Sequence, residues 1–160
     1  MDRRERVIDL KREEEFIEEY VSLRNRYSFL LLTRQVKVVE TRRWLKRRDI
    51  EVRGIVKDSS LTGVTILYLS REGEIAFFVK EPNQGTGRKL LEIIERVARE
   101  KNLESVWAWV LDDNLPAKST FQKNGYTADG KSRRSYRGEN RLGVIFRKTF
   151  QRDAHHKERS

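Results

Sequence analysis

The sequence predicts a single α/β domain with a mostly antiparallel sheet and helices on both of its faces. A length of 160 residues fits one domain with a buried core. Apolar residues recur in periodic runs, which indicates a folded protein even though 38% of the residues are charged. The predicted element order is βα(α)βββαβαββ, and only the long helix between strands calls for parallel pairing. We expect the domain to span residues 1–150 and residues 151–160 to form a disordered basic tail.

The N-terminal half predicts one strand, two helices and a three-stranded meander. RVIDLK (6–11) alternates like a strand, and apolar residues at helical spacing follow over 13–27. Residues 28–35 (SFLLLTRQ) fit either more helix or a loop, and Thr41 is predicted to cap a short helix over 41–48. The three strands are then read from segments rich in β-branched and aromatic residues: EVRGIVKD, LTGVTILYLS and GEIAFFVK.

The C-terminal half predicts a long helix, a buried strand, a short helix and a hairpin. The long helix follows Gly87, carries one apolar stripe and ends near Asn102. ESVWAWVL is typical of a buried strand. A short helix then begins near Pro116 and stops at Asn124-Gly125, before two strands joined by a basic connection.

Composition restricts the chemistry. The chain has no cysteine, and its two histidines, His155 and His156, lie in the tail, so we expect neither a metal site nor a histidine-based triad. No apolar run approaches the roughly 18 residues of a membrane span, and the N-terminus lacks a signal-peptide pattern, which favours a cytoplasmic protein. The formal net charge of +10 predicts anionic partners: phosphorylated small molecules, nucleic acid or an acidic surface. Two basic islands, 42–48 and 131–141, carry much of this charge.

The stretch EPNQGTGRKLL (81–91) allows two interpretations. Glycines permit a positive φ and a close approach to the backbone, and a helix N-terminus offers free N–H groups to a phosphate. Arg88 and Lys89 place cations in the first helical turn, where they are unfavourable unless an anion docks there. An ordinary glycine turn with basic surface residues explains the stretch equally well. Neither a dinucleotide-binding nor a Walker phosphate-loop pattern is present.

A second segment, DDNLPAKSTFQKNGY (112–126), together with the glycine step, resembles the GCN5-related N-acetyltransferase (GNAT) family. That family has a strand ending near Val-x-Pro, a [QR]-x-x-G-x-[GA] loop, a long helix, and then N-x-x-A-x-x-x-[YF]-x-x-x-G-[FY]. The matching positions in this chain are Val79, Pro82, Gly85, Gly87, Asn114, Ala117, Phe121, Gly125 and Tyr126. The resemblance covers roughly residues 50–150, because the N-terminal elements carry no family motif.

The resemblance implies a GNAT-like fold that binds acetyl-CoA as the acetyl donor. The amides of Gly85, Thr86, Gly87 and Arg88 would hold the pyrophosphate, and the backbone of residues 77–79 would pair with the pantetheine arm. Asn114 would contact that arm from the other side. The full implied cofactor-binding set is Phe77, Phe78, Val79, Gln84, Gly85, Thr86, Gly87, Arg88, Lys89, Asn114, Ala117 and Phe121.

Two positions depart from the family pattern. Pro82 stands where Gln or Arg is usual and the connection from Val79 is two residues short, so Gln84 is the candidate to replace the missing side chain. Phe121 occupies the position where many members carry a tyrosine thought to protonate the leaving thiolate. Phenylalanine has no hydroxyl, so another group or water protonates the thiolate, or it leaves unprotonated, or the protein is a weak enzyme.

The general base is sought among carboxylates. Glu74 begins the GEIAFFV strand beside the expected thioester cleft and is the candidate to act through one water; the alternative is a strand-edge glutamate in solvent. Asp112 and Asp113 are rivals, with helix capping as their alternative role. Tyr126 is predicted to be a core residue, and the alternating aromatic residues Trp107, Trp109, Phe77 and Phe78 to be mainly core, with one of them able to line the acceptor pocket.

These observations predict an acetyl-CoA-dependent N-acetyltransferase in which a primary amine attacks the thioester directly. The predicted acceptor is a small molecule such as an amino sugar or a nucleotide-linked sugar, and the alternative is a protein or peptide. A different class also remains open: a catalytically weak, GNAT-like protein that binds CoA or nucleic acid. We expect a monomer or a homodimer without a membrane partner.

Overall fold

The computed structural model describes residues 4–151, so the predicted tail lies outside the described residues except for Gln151. The strands are β1 Glu5–Asp9, β2 Ile50–Lys57, β3 Ser60–Tyr68, β4 Glu74–Val79, β5 Ser105–Leu111, β6 Thr127–Tyr136 and β7 Glu139–Thr149. The helices are α1 Ile17–Arg26, α2 Val38–Trp44, α3 Thr86–Glu100 and α4 Leu115–Lys123. Short 3-10 turns precede α1 (Glu14–Phe16) and follow β3 (Leu69–Arg71). This order confirms the predicted succession of elements.

The seven strands form one sheet in the order β1-β2-β3-β4-β5-β7-β6. Every neighbouring pair is antiparallel except β4 and β5, which the α3 crossover makes parallel. That pair meets at a single register position, Glu74 opposite Trp107. Beyond it the two strands separate and leave an opening in the middle of the sheet.

Helices cover both faces of the sheet, as predicted. On one face α1 and α2 pack over the β1–β4 half, with Tyr20 and Phe78 among the fully buried side chains. On the other face the apolar stripe of α3 packs with α4 over the centre and the β5–β7 half. The two apolar cores fix the strands on either side of the opening. No helix among residues 4–151 is long and apolar enough to cross a membrane.

The α1–α2 region differs from the prediction in one respect and resolves an open alternative in another. Helix α2 begins at Val38 instead of after Thr41, because the Thr41 hydroxyl bonds the Lys37 carbonyl (2.9 Å) inside the helix and does not cap it. Residues 28–35 are turns and not a continuation of α1: the Thr33 N–H donates to the Ser28 carbonyl, and Leu32 has φ +50°. This irregular segment reaches the opening in the sheet.

Candidate active site

A cavity of about 230 Å³ occupies the opening between β4 and β5. One end is formed by Asn114, Ala117 and Phe121 of the α4 region. The other end is formed by polar side chains from several elements: Arg24, Tyr68, Arg71, Glu74 and Arg134. The turns after α1 and the middle of β5 also line it. We call these the α4 end and the arginine end. A single space therefore connects four of the predicted cofactor residues with Glu74, namely Phe77, Asn114, Ala117 and Phe121.

Strand β4 turns part of its backbone toward this opening. The Lys80 N–H donates to the Thr62 carbonyl (2.8 Å), so even-numbered residues of β4 face β3. By alternation, the N–H and carbonyl groups of Phe77 and Val79 face the side from which β5 has separated. The Val79 carbonyl also accepts a hydrogen bond from the Tyr27 hydroxyl (2.6 Å). Phe78 faces β3 through its backbone and places its ring in the α1 core, 5.8 Å from Tyr20.

The glycine step is the entrance to α3. Gly85 has φ +74° and precedes the helix with no capping side chain, and a Cβ there would meet nothing within 4 Å. Gly87 instead allows close packing of α3 on β4 and α4. A Cβ at this position would lie 3.1 Å from the Phe77 ring and 3.2 Å from Thr120. Thr86 packs its methyl group over Gly63, while Gln84 is exposed. The loop thus presents open backbone at Gly85.

The two cations of the first α3 turn each have a carboxylate partner. Arg88 pairs with Glu92 (3.1 Å), and Lys89 pairs with Glu5 of β1 (3.0 Å). The unfavourable position of these charges is therefore offset within the chain, and it no longer requires an external anion by itself. What remains in favour of an anion is the set of uncapped N–H groups at the start of the helix.

Asn114 caps α4, and the two neighbouring aspartates do not. Its side-chain oxygen accepts from the Ala117 N–H at 3.4 Å, a distance at the long end for a hydrogen bond. Asp112 pairs with Lys118 (3.2 Å), and Asp113 is exposed. Neither aspartate lines the cavity, which leaves Glu74 as the carboxylate that does.

Phe121 lies in an aromatic cluster under the cavity. It is 2% exposed, and its ring centroid lies 5.3 Å from that of Phe77, 5.0 Å from Tyr126 and 5.7 Å from Phe146. The Tyr126 hydroxyl donates to buried Glu95 (2.9 Å). Burial raises the pKa of Tyr126 far above its usual range, and the negative charge of Glu95 raises it further. Tyr126 is a core residue, as predicted.

Glu74 is buried at the arginine end, which excludes the solvent-exposed alternative. It is 5% exposed, and its two oxygens accept from Arg71 (3.3 Å) and Arg134 (2.8 Å). The Arg134 guanidinium also lies over the Trp107 and Trp109 rings, at 5.8 and 5.0 Å from their centroids. Arg134 thus holds the carboxylate from β6, a strand sixty residues further along the chain.

The prediction that the two tryptophans are mainly core is wrong. Alternation along β5 turns Val106, Ala108 and Val110 toward the α3 core and leaves both tryptophans half-buried on the opposite face. Trp109 lines the cavity, and its indole N–H donates to the Ser132 carbonyl (3.3 Å). Glycine at position 143 is required by this packing, because a Cβ there would overlap the Trp109 indole.

The sequence interpretation missed Arg24, and it missed Arg134 as a partner of Glu74. Arg24 stands four residues after Tyr20, on the inward stripe of α1. Its Nη1 group donates to the Tyr20 hydroxyl (2.8 Å), and its guanidinium lies 5.3 Å from the Trp44 ring centroid. Burial raises the pKa of Tyr20, although Arg24 opposes the shift, so the phenol is a neutral partner. The sequence signal that could have identified Arg24 is its position as a charged residue within the apolar stripe of α1.

The described part of the chain contains no group of three or more acidic or histidine side chains that could hold a metal ion. The site accordingly consists of backbone amides, aromatic rings, one carboxylate and several guanidinium groups. Such a set suits an anionic ligand at one end and a polar acceptor at the other.

The fold is shared with solved acetyltransferases. A putative acetyltransferase from Salmonella typhimurium, solved with its cofactor acetyl-CoA, superposes with a TM-score of 0.80 at 15% identity, over 94% of this chain and 96% of its own. A ribosomal-protein-alanine N-acetyltransferase from Brucella melitensis gives 0.76 at 16% identity (86% and 96%). The Salmonella typhimurium enzyme that modifies the N-terminal serine of ribosomal protein L7/L12 gives 0.75 at 14% identity (94% and 97%).

The sequence itself matches a defined family over most of its length. No curated protein matches this chain. The acetyltransferase (GNAT) domain family matches residues 9–142, which include the glycine step, β4, β5 and α4. The chain therefore belongs to the GNAT acetyltransferase family and is an N-acetyltransferase with acetyl-CoA as its acetyl donor.

Proposed function

We propose that acetyl-CoA enters the cavity from the α4 end and that a small primary amine meets its thioester from the arginine end. The observation that carries this is the single parallel bridge between Glu74 and Trp107, beyond which the sheet opens into one continuous space. A thioester on a flexible arm and an amine can reach each other there without crossing a strand.

The α4 end holds the cofactor in this proposal. The uncapped amides of Gly85, Thr86, Gly87 and Arg88 bind the pyrophosphate at the α3 N-terminus. Phe77 and Val79 pair with the pantetheine arm through their backbone, and Phe78 holds β4 in place from the α1 core. The remaining cofactor-binding residues supply side chains: Gln84 and Lys89 near the loop, and Asn114, Ala117 and Phe121 from the α4 side. The Lys89 ammonium already pairs with Glu5, so the phosphate and the Glu5 carboxylate would have to share it.

The arginine end holds the chemistry. The neutral amine attacks the acetyl carbon, a C–N bond forms, and the C–S bond breaks to release CoA as a thiolate. Backbone N–H groups of β4 that face the opening stabilise the oxyanion. Glu74 receives the proton of the amine through one water. Arg71 and Arg134 orient its carboxylate, so they are positioning residues. Because Phe121 has no hydroxyl, the thiolate leaves without a proton from that position.

The acceptor in this proposal is a small molecule, of the size of a single amino sugar. A cavity of about 230 Å³ lies below the usual range of drug-sized sites, about 300–1,000 Å³. A nucleotide-linked sugar would therefore have to extend out of it. Two of the solved relatives are named for ribosomal proteins, which keeps a protein or peptide acceptor as the alternative, but at 14–16% identity the likeness concerns the fold.

Nucleic-acid binding receives less support from the basic islands. Arg47, Arg134 and Arg141 each pair with a carboxylate of the chain: Asp49, Glu74 and Glu139 respectively. These cations are partly neutralised before any phosphate approaches. An exposed basic surface alone does not favour this function over acetyl transfer.

Calorimetric titration with acetyl-CoA tests the proposal. We expect saturable binding with one molecule per chain, followed by release of free thiol when a panel of small primary amines is added. The chain has no cysteine, so a thiol reagent detects the released CoA without background from the protein. Absence of acetyl-CoA binding at millimolar concentration would contradict the proposal.

A further inference from the structure

We propose that the acceptor amine carries an anionic group, a carboxylate or a phosphate, and that Arg24 binds this group. The inference rests on the proposed function and adds the chemical class of the acceptor. It depends on the contacts of Arg24 and on the charge balance of the arginine end.

Arg24 holds a half-buried guanidinium whose hydrogen bonds are incomplete. Its Nε atom is buried and has no hydrogen-bond partner. The groups it does contact are uncharged, namely the Tyr20 hydroxyl, the Trp44 ring and the Tyr68 side chain. Of the residues that the structure describes, no carboxylate lies within ion-pair distance of it. A guanidinium among aromatic side chains loses hydration, and nothing in the described chain restores it with a negative charge.

The other arginines of the same cavity behave differently. Arg71 and Arg134 both bond to Glu74, so one carboxylate already serves two guanidinium groups. Glu74 is the only acidic residue among the described residues that line the cavity, against three arginines. The lining therefore has an excess of positive charge, and Arg24 is the arginine without a carboxylate. A ligand with one or two negative charges would balance it.

The position of Arg24 fits a specificity contact. It lines the same space as Glu74 and Phe77, so an anion bound to it belongs to a molecule that also reaches the thioester. The planar guanidinium matches carboxylate and phosphate oxygens. Polyamines and other purely cationic acceptors would meet the excess positive charge of the lining and are excluded on the same ground. The small cavity further limits the acceptor to a compact amine.

Pairs of amines that differ only in the anion test this directly. With acetyl-CoA saturating, kcat/KM is measured by thiol release for glucosamine 6-phosphate against glucosamine, and for alanine against alaninamide. We expect the wild-type protein to prefer one anionic member by about 10- to 150-fold, the range expected for a hydrogen bond to a charged group. The pair that shows the preference distinguishes phosphate from carboxylate.

Arg24→Gln should remove this preference, because it deletes the charge while keeping a donor for the Tyr20 hydroxyl. Tyr20→Phe removes that hydrogen bond but keeps the guanidinium, and Arg43→Gln removes an exposed arginine from α2. Both control variants should retain the preference. A wild-type protein without preference would overturn the inference, and so would an Arg24→Gln protein that keeps it.

Binding gives a readout that does not need turnover. With CoA bound, titration of the anionic amines should change the tryptophan fluorescence of the wild-type protein but not that of Arg24→Gln, since Arg24 lies over Trp44. No change for any anionic amine would overturn the inference. If acetyl-CoA fails to bind while an anionic amine still binds through Arg24, the proposed function has failed and the anion site stands. If amines without an anionic group are acetylated as fast as those that carry one, the proposed function stands and the inferred anion site has failed.

Discussion

At the α4 end of the cavity, the groups that the proposed function offers to the cofactor are mainly backbone amides of residues 77–88, of which Phe77 lines the cavity itself. At the arginine end they are the side chains of Arg24, Arg71, Glu74 and Arg134. The first set lies on one strand, one loop and one helix start, all consecutive in the chain. The second set comes from α1, the turn after β3, β4 and β6. In the proposed function, the cofactor therefore meets local geometry, whereas the acceptor meets a tertiary arrangement of side chains from several elements.

The two ends should respond differently to mutation. Changes at the glycine step should alter acetyl-CoA affinity and leave acceptor choice intact, whereas changes at Arg24 should do the opposite. Loss of Glu74 should affect turnover alone. The following variants test this separation, in order of expected effect.

Glu74→Gln should lower kcat by about 10²- to 10⁴-fold, the usual contribution of a positioned general base. Acetyl-CoA affinity, measured by calorimetry, should stay unchanged. Glu95→Gln is the matched control, because Glu95 is also 5% exposed and also bonds two partners, Tyr126 and Lys148. It should lower the melting temperature while keeping kcat. Equal losses of kcat in both variants would remove Glu74 from the mechanism.

Gly87→Val should weaken acetyl-CoA binding by at least about tenfold, or about 1.4 kcal/mol. The added side chain would collide with Phe77 and Thr120 and displace the start of α3 from β4. Calorimetry gives the dissociation constant, and the ratio of kcat/KM for paired anionic and neutral amines should remain that of the wild type. A changed ratio would mean that the two ends are not independent.

Gly85→Ala should weaken acetyl-CoA binding by only a few-fold, because its Cβ meets open space but strains a φ of +74°. Gly138→Ala, with φ +78° in the β6–β7 connection and equally open space, is the matched control. Both should lose similar stability, roughly 1 kcal/mol. If Gly138→Ala weakened acetyl-CoA binding as much as Gly85→Ala does, the amides at Gly85 would have no special role.

Phe121→Tyr should have the smallest effect. If the thiolate leaves without a proton from this position, the added hydroxyl changes kcat by less than about threefold, far below the ~10²–10⁴-fold of a positioned acid. Steady-state kinetics with the preferred amine measures it. A rise of kcat toward that larger range would show that protonation of the thiolate limits the wild-type enzyme.

The sequence predicted the locally encoded features of the molecule better than the tertiary contacts of the arginine end. The strand and helix order was correct because hydrophobic periodicity and short turns are local properties, and the stripe of α3 is a clear case. The start of α2 was misplaced because Thr41 bonds Lys37 inside the helix, which the sequence could not distinguish from a cap. Family spacing located the glycine step and α4, since those motifs are short segments.

The arginine end could not be predicted in the same way. Arg134 reaches Glu74 only because β7 and then β6 follow β5 in the sheet, an order that the sequence did not specify. The tryptophans of β5 were predicted to be mainly core because they alternate along the strand, but that alternation places them on the face beside Arg134. Likewise, two cations in the first turn of α3 suggested an anion, but Glu92 and Glu5 already pair with them.

A crystal structure with CoA and the preferred anionic amine tests the central claim most directly. We predict pyrophosphate density at the amides of residues 85–88, the thiol between β4 and β5, and the anion of the acceptor within hydrogen-bond distance of the Arg24 guanidinium. The amine should point toward Glu74 and the thiol. Cofactor density outside the β4–β5 opening, or an acceptor whose anion contacts other residues while Arg24 stays unpaired, would contradict the account.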